Sequence, residues 1–335
     1  MQDFMEIDDA RKISLGEYLA GLADAEERSR TTAVFDDVSG ALESMRRNFA
    51  VPDEVPDVYV LTSDRYSAEV NPLGLMVVSQ GIIAHCLNAT RPQTIASTAI
   101  GGSTDTPPDL YAQMGLTWVM AHEYAHLFRK HHEVQSEIGS EDYVLRAFEH
   151  DADLCAAAAV YRAAQRWLAG MNDTDIRAYV VAALFWIIRR FPGSNDGAGI
   201  HPSFSERFMQ IVFKLTSMGE SQVEMPDTDL RLPTTARRSE ILREVALSCE
   251  SAYQAEHPEA QTSYFMEWRD YFAQYGHISI INDWVRVSPY VERSSKTIAD
   301  LQRYGVSPMT MGDIERLEVA ARKRERRANA KRSQQ

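Results

Sequence analysis

The sequence lacks any hydrophobic run long enough to cross a membrane. Its most apolar stretch, AYVVAALFWII at residues 178–188, has 11 residues, whereas a spanning helix needs about 20. We interpret this stretch as a buried core helix, with an interfacial helix as the alternative. The first residues, MQDFMEIDDARK, are acidic where a secretory signal is basic and then apolar, so we expect no export signal.

Cysteine is scarce, and the net charge has the wrong sign for binding nucleic acid. Cys86, Cys155 and Cys249 are odd in number and far apart, which argues against a disulfide framework and favours a reducing compartment. The net charge of −13 makes nucleic acid or anionic membrane an unexpected partner for the core. We therefore expect a soluble protein of the bacterial cytoplasm, with Cys155 as a buried free thiol.

Most of the chain has the apolar spacing of helices, with a few strand patterns near the start. Residues 1 to about 50 are predicted to be helical, and the sequence SLGE from Ser14 resembles a helix cap. Residues 55–63 alternate like a strand, and residues 75–87 predict a strand followed by a helix. Further helices are predicted at 109–133, 142–168 and 173–190.

Three polar stretches interrupt these patterns. Residues 88–108 are rich in Thr, Ser, Gly and Pro and predict a long loop, whose length is typical of a lid or of disorder. Residues 217–236 resemble a linker. Residues 321–332 carry seven basic residues against one acid, which fits a solvated helix or a tail that contacts an acidic partner.

One motif carries chemistry: AHEYAHLFRKHH, residues 121–132, contains HExxH. His122 and His126 are four residues apart on one helical face, so both imidazoles can bind one zinc ion at about 2.0–2.1 Å. Glu123 lies about 100° further round the helix, beside a zinc-bound water rather than on the metal. Chance, or a core histidine pair, is the alternative. The apolar surroundings argue against both, because unpaired imidazoles are costly to bury.

Two residues compete to be the third zinc ligand, and the first is His132. It follows His126 by six residues, as in the metzincin pattern HExxHxxGxxH. That pattern needs glycine where this chain has Arg129, which would continue the helix and carry His132 away from the metal. We interpret His131 and His132 as surface residues at the helix end, where the helix dipole favours cations.

The second candidate is Glu149, in AFEHDADLCAAA, 23 residues after His126. This separation allows the chain to return on an antiparallel helix. Asp153 is four residues later on the same face, placed to accept a hydrogen bond from a ligating imidazole. An ordinary acidic first turn of a helix is the alternative. His150 and Asp151 point elsewhere and are expected to be solvated.

Three motifs now occur in order: HEYAH, EHDAD and HPSFSER. Together they resemble the gluzincin peptidases of the HtpX and CAAX prenyl protease family, whose pattern is HExxH, ExxAD and HP…R. The resemblance implies one Zn²⁺ per chain, an oxyanion-stabilising histidine that faces the substrate, and an arginine that organises the site. The matching positions are His122, His126 and Glu149 as ligands, Glu123 as base, Asp153 as the acid of ExxAD, His201 as the substrate-facing histidine and Arg207 as the arginine. His131 falls where many members carry a histidine that is not a ligand.

The resemblance covers roughly residues 50–215 and implies a zincin-like metallopeptidase core. The expected fold is α+β, mainly α with a small β-sheet, and with helical N- and C-terminal extensions. The predicted division is a helical segment at 1–52, the core at 53–216 and a helical region at 217–335 that ends in the basic tail. Family members are typically embedded in membranes, so this chain is predicted to be a soluble relative, and the family's substrates are not assumed.

The expected function is a zinc metalloendopeptidase that acts on a protein or peptide substrate. A zinc-activated water attacks the peptide carbonyl, Glu123 acts as general base, and His201, or a tyrosine, stabilises the oxyanion. A strand at residues 75–78 would align the substrate if it lay at a sheet edge. The alternatives are a zinc-stabilised regulatory or binding module without proteolytic turnover and a metal-dependent hydrolase of other bonds.

Overall fold

The structure is a computed structural model, and it describes residues 12–49, 51, 54–88, 109–191, 203–218, 234–258 and 276–295. Within these ranges the chain is mainly helical with one small mixed sheet, which confirms the predicted α+β class. Within the described part, no helix has the length and apolar character to cross a membrane.

The sheet has four short strands, and its pairing is both parallel and antiparallel. They are β1 (Lys12–Ser14), β2 (Val58–Leu61), β3 (Ala68–Val70) and β4 (Met76–Ser79). Their order across the sheet is β1-β2-β4-β3, so β3 lies at one edge and β4 is internal. The central pair β2 and β4 is parallel, while each outer strand pairs antiparallel with its neighbour.

The described residues also form ten helices. They are α1 (Leu15–Gly21), α2 (Ala25–Asn48), α3 (Gln80–Leu87), α4 (Leu110–Phe128), α5 (His131–Ile138), α6 (Asp142–Trp167), α7 (Asp173–Arg189), α8 (Phe204–Ser217), α9 (Thr234–Glu256) and α10 (Gly276–Ser295). One apolar cluster joins side chains from the sheet and from α1–α4 and α6–α9. The stretch at 178–188 lies in α7 and is buried throughout, which confirms the predicted core helix. Cys86, Cys155 and Cys249 are free and buried, as expected for Cys155.

The prediction of an all-helical start is wrong at residues 12–14, which form β1. Three residues are too few to show a strand period, and Ile13 is fixed by pairing with Val60 of β2. The predicted cap is confirmed: the Ser14 side chain accepts a hydrogen bond from the Glu17 backbone, and the Glu17 carboxylate accepts one from the Ser14 backbone.

The prediction of one long helix over 109–133 is also wrong, because the chain breaks after α4. Lys130 adopts a left-handed conformation, with φ 59° and ψ 37°, and α5 then begins at His131. A non-glycine residue in this region is uncommon and strained by about 1–2 kcal/mol. The break turns the chain back, so His131 lies beside the end of α4 rather than continuing away from it.

Helix α4 packs closely against α7 because it carries a glycine at the contact. A side chain at Gly115 would place its Cβ 2.4 Å from Ile187 Cδ1 and 3.2 Å from Cys86 Sγ. The close approach holds the HExxH helix deep in the core, where nearly every other side chain of α4 is also buried.

Several sequence predictions fall outside the described residues. They concern almost all of the loop at 88–108, most of the linker at 217–236, the basic tail at 321–332, and His201. The division at residues 52 and 216 stays a prediction.

Candidate metal centre

Two packed helices, α4 and α6, supply the polar groups of the site. His122 and His126 lie one turn apart on α4, and Glu149 and Asp153 lie one turn apart on α6. His122 contacts Asp153, and His126 contacts Glu149. The order of the pairs is crossed because the two helices run antiparallel. The polar pairs face one another in a region whose surroundings are apolar and buried.

Three side chains offer ligand atoms that lie within 4.8 Å of one another: His122, His126 and Glu149. The two Nε2 atoms are 3.2 Å apart. Glu149 Oε2 is 3.4 Å from His122 Nε2, and Glu149 Oε1 is 3.6 Å from His126 Nε2. Zinc bonds of 2.0–2.1 Å place tetrahedral ligands about 3.3 Å apart. The spacing of these atoms therefore fits one zinc ion.

The outer nitrogen of His122 is held by a buried carboxylate. His122 Nδ1 is 2.9 Å from Asp153 Oδ1, and Arg207 donates to both oxygens of Asp153 at 2.8 Å. The Arg207 guanidinium also lies over the Trp118 ring, 5.3 Å from its centroid. Burial raises the pKa of Asp153, but Arg207 and His122 outweigh this and hold it below its usual range. The ionised acid fixes the proton of His122 on Nδ1 and leaves Nε2 for a metal.

The outer nitrogen of His126 is held by a second group, which sequence reasoning missed. His126 Nδ1 is 2.9 Å from His131 Nδ1, and His131 Nε2 is 3.1 Å from Asp151 Oδ2. His131, His150 and Asp151 are all buried. The predictions that His131 is a surface residue and that His150 and Asp151 are solvated are therefore wrong. The turn at Lys130 and the contacts made by Arg129 bring these groups inside.

The hydrogen bonds of this second group also fix the proton on His126. Burial raises the pKa of Asp151, but its bonds from His131 and Arg129 lower it to about 2, so the carboxylate accepts. His131 therefore carries its proton on Nε2, and its Nδ1 accepts from His126 Nδ1–H. Burial keeps the pKa values of both histidines below their usual range, so both are neutral. His126 Nε2 is left as an open acceptor that faces His122.

The charges around the two Nε2 atoms favour one cation between them. Burial lowers the pKa of His122, but hydrogen bonds to Asp153 and Glu149 outweigh this and raise it to about 10. The carboxylates thus stabilise a positive charge at this point, whether a proton or a metal ion.

Glu123 lies beside this group rather than in it. Burial, with the nearby negative charges of Glu149 and Glu69, raises its pKa to about 7, against the opposing effects of His122 and of a hydrogen bond from the Val70 backbone. A carboxylate with this pKa can take and return protons near neutral pH. Its neighbours Glu69 and Val70 belong to the edge strand β3, which packs against α4.

His132 belongs to no metal-capable group among the described residues, whereas Glu149 does. The reason given from the sequence, that Arg129 would continue the helix, is nevertheless wrong, because α4 ends at Phe128. His201 lies outside the described ranges. Arg207 is described, and it is linked through Asp153 to the candidate metal group, which consists of His122, His126 and Glu149.

Residues 108–225, about a third of the chain, match the family model described as Peptidase U49. The match indicates a peptidase. His122, Glu123, His126, Glu149 and Asp153 all fall inside the matched stretch. No curated protein and no solved structure matches the chain. The family description differs from the HtpX and CAAX prenyl protease family, so that finer assignment stays a prediction.

The structure also corrects the strand expected to align a substrate. The stretch at 75–78 contributes to β4, which pairs on both sides with β2 and β3 and offers no edge. The outer edge of β3 has no partner strand among the described residues. A run as short as AEV carries no apolar alternation, so the sequence alone did not single it out.

Proposed function

We propose that the protein is a zinc-dependent endopeptidase of the gluzincin type, similar to the HtpX and CAAX prenyl protease family. The observation that carries this proposal is the cluster of His122 Nε2, His126 Nε2 and the Glu149 carboxylate. The two nitrogens are 3.2 Å apart, and each lies within 3.6 Å of a different carboxylate oxygen, a spacing that suits one zinc ion. A zinc ion held by these three residues would act as a Lewis acid toward water and a substrate carbonyl. The match to a peptidase family supports the reaction class.

Glu123 is the proposed general base. It directly follows the first ligand on α4, and its pKa of about 7 suits it to accept a proton from water and pass it to the leaving amine. Its half-buried position beside β3 keeps it close to the metal group and outside the set of ligands.

The substrate would lie along β3. An extended peptide can pair with the backbone groups of an edge strand, which aligns its carbonyls without recognising particular side chains. The Val70 backbone near Glu123 links this edge to the proposed base. A peptide in this position would run past the metal group, as an endopeptidase substrate must.

His201 is proposed as an additional oxyanion donor on the strength of the family resemblance. It precedes α8, whose Arg207 holds Asp153. Donors of this kind typically contribute about 2.7–4 kcal/mol to transition-state stabilisation.

The first test combines metal content with turnover. We expect one zinc per purified chain, retained in Glu123→Gln and His132→Ala and lost in Glu149→Ala, as measured by plasma mass spectrometry. Cleavage of an unfolded protein substrate should fall at least a hundredfold in Glu123→Gln, because a general base typically contributes about 10²–10⁴.

Each contrary result has a separate meaning. Zinc lost in His132→Ala and kept in Glu149→Ala would make His132 the ligand and contradict the gluzincin assignment. Full cleavage by Glu123→Gln would contradict the general-base role. Zinc binding with no detectable turnover of any peptide by the wild type would favour a zinc-stabilised binding module.

A further inference from the structure

A continuous chain of hydrogen bonds leaves the metal group at His126 and runs away from α4. It passes from His126 Nδ1 to His131 at 2.9 Å and from His131 Nε2 to Asp151 at 3.1 Å. Arg129 Nε then donates to the same Asp151 oxygen at 2.6 Å. The side chains of His131, Asp151 and Arg129 are each less than a tenth exposed, so water is poorly placed to substitute for a lost partner.

The chain continues into the C-terminal helix α10. Arg129 Nη2 donates to Glu292 Oε1 at 2.8 Å, and Arg129 Nη1 donates to Ser295 Oγ at 3.0 Å. The Arg129 guanidinium therefore joins Asp151 on α6 to two residues on α10, each more than 160 positions after Arg129 in sequence. Arginine suits this position because its planar fork can hold several acceptors at fixed angles.

Apolar packing also holds α5, α6 and α10 together. Phe148, next to the ligand Glu149, packs with Val134 of α5 and with Val287 and Val291 of α10 in a second apolar cluster. The His131 ring stacks on Phe148 at 4.5 Å and an interplanar angle of 16°. Because α10 covers this cluster, His131 is confined on its face as well as at both nitrogens.

We propose that α10 is a working part of the metal centre, and that Glu292 and Ser295 are positioning residues for the ligand His126. They act through Arg129, Asp151 and His131, which fix the ring plane of His126 and keep its proton on Nδ1. This inference rests on the metal site of the proposed function but not on peptidase turnover. It extends the site beyond residue 225, where the match to the peptidase family model ends.

The effect follows from how a buried guanidinium is held. Without the Glu292 carboxylate, Arg129 keeps its bond to Asp151 but loses the contact that fixes its far side. The Arg129 guanidinium can then rotate, so the Asp151 oxygen that accepts from His131 is no longer held in one position. Partners that hydrogen-bond to metal-ligating histidines typically contribute about 10–100-fold to metal affinity. Loosening these partners therefore weakens metal binding.

The simpler interpretation is that α10 only packs against the core. A second ion pair provides the matched control: Arg146 of α6 donates to Asp283 of α10 at 2.7 Å. Each pair has one buried and one partly exposed partner: Asp283 and Arg129 are each 9% exposed, while Arg146 is 35% and Glu292 is 31% exposed. The pair of Arg146 and Asp283 also joins α6 to α10, but no hydrogen bond connects it to His126 among the described residues. Loss of packing alone would affect both pairs alike.

The experiment measures zinc affinity of the full chain by competition with a chromophoric chelator. We expect Glu292→Gln to weaken zinc binding about tenfold and His131→Gln by about 10–100-fold, with Asp283→Asn within about twofold of the wild type. The absorption bands of the cobalt-substituted protein should shift in Glu292→Gln and His131→Gln and stay unchanged in Asp283→Asn. Ser295→Ala removes one hydrogen bond from Arg129, and it serves if Glu292→Gln does not fold.

Three results would overturn the inference. Equal losses of zinc affinity in Glu292→Gln and Asp283→Asn would mean that α10 contributes only by packing. Wild-type affinity and cobalt spectra in both Glu292→Gln and His131→Gln would remove the positioning role while leaving the proposed peptidase intact. A wild-type chain that binds no zinc contradicts the proposed metal centre and this inference together.

Discussion

Single hydrogen bonds decide which nitrogen of each histidine is open to a metal. Asp153 occupies Nδ1 of His122, and His131 occupies Nδ1 of His126, so both Nε2 atoms face inward. The two supports differ in kind: one is an ionised acid held by arginine, and the other is a neutral imidazole. The geometry of the candidate metal group therefore depends on residues that lie outside it.

Arg207 tests this dependence at the side that supports His122. It holds both oxygens of Asp153 and is mostly buried. We expect Arg207→Lys to weaken zinc binding about tenfold, because lysine keeps the charge but cannot hold a carboxylate with two parallel bonds. Chelator competition measures the change. Wild-type affinity in Arg207→Lys would mean that charge alone supports Asp153, and Arg207→Gln would then separate charge from geometry.

At the scale of elements, the turn between α4 and α5 decides where His131 lies. Its central residue, Lys130, is in the left-handed region, where a side chain is unfavourable. The Lys130 ammonium donates to Glu133 at 3.1 Å, an exposed ion pair that contributes little to stability. The turn is therefore held by its surroundings rather than by its own preference.

At this turn glycine should be more stabilising than alanine, which is the reverse of the order at an ordinary helix position. We expect Lys130→Gly to be more stable than Lys130→Ala by about 1 kcal/mol, because glycine reaches a positive φ without steric penalty. In a helix interior, alanine would be the more stable by about 1 kcal/mol. Urea unfolding of the zinc-loaded proteins measures the difference. A more stable Lys130→Ala would mean that the chain continues as a helix through this position.

Much of the candidate metal site could be predicted from sequence spacing alone. His122 and His126 share a helical face, and the 23 residues to Glu149 allow a return on α6; neither depends on distant contacts. The left-handed Lys130 could not be predicted, since only glycine or asparagine would have signalled it. The burial of His131 and Asp151 depends on Arg129, whose other partners lie on α10.

In the fold, too, elements that depend on local sequence could be predicted, and elements that depend on distant contacts could not. The α6 and α7 patterns were long and periodic, and their predicted bounds agree with the structure to within one residue. Strand β1 could not be predicted, because a three-residue strand gains its stability from pairing with β2 rather than from its own sequence. The edge position of β3 is likewise a property of the sheet order.

For the whole molecule, metal binding and folding should be coupled. The proposed ligands come from two helices, and only the folded chain brings them together. Zinc at about 100 times its dissociation constant should therefore stabilise the protein by about 2.7 kcal/mol. We expect calorimetry to show a higher Tm with zinc for the wild type and Glu123→Gln, and no rise for Glu149→Ala. An equal rise in Glu149→Ala would place the bound zinc elsewhere.

The distance along the chain between the ligands and α10 has a consequence for synthesis. Between Asp153 and Glu292 lie more than 130 residues, which take roughly 7–28 s to translate at about 5–20 residues per second. The proposed metal ligands thus leave the ribosome well before the helix proposed to position them. During that interval a nascent chain can capture a metal ion but cannot hold it in its final geometry. Completion of α10 would then fix the geometry of the candidate metal group.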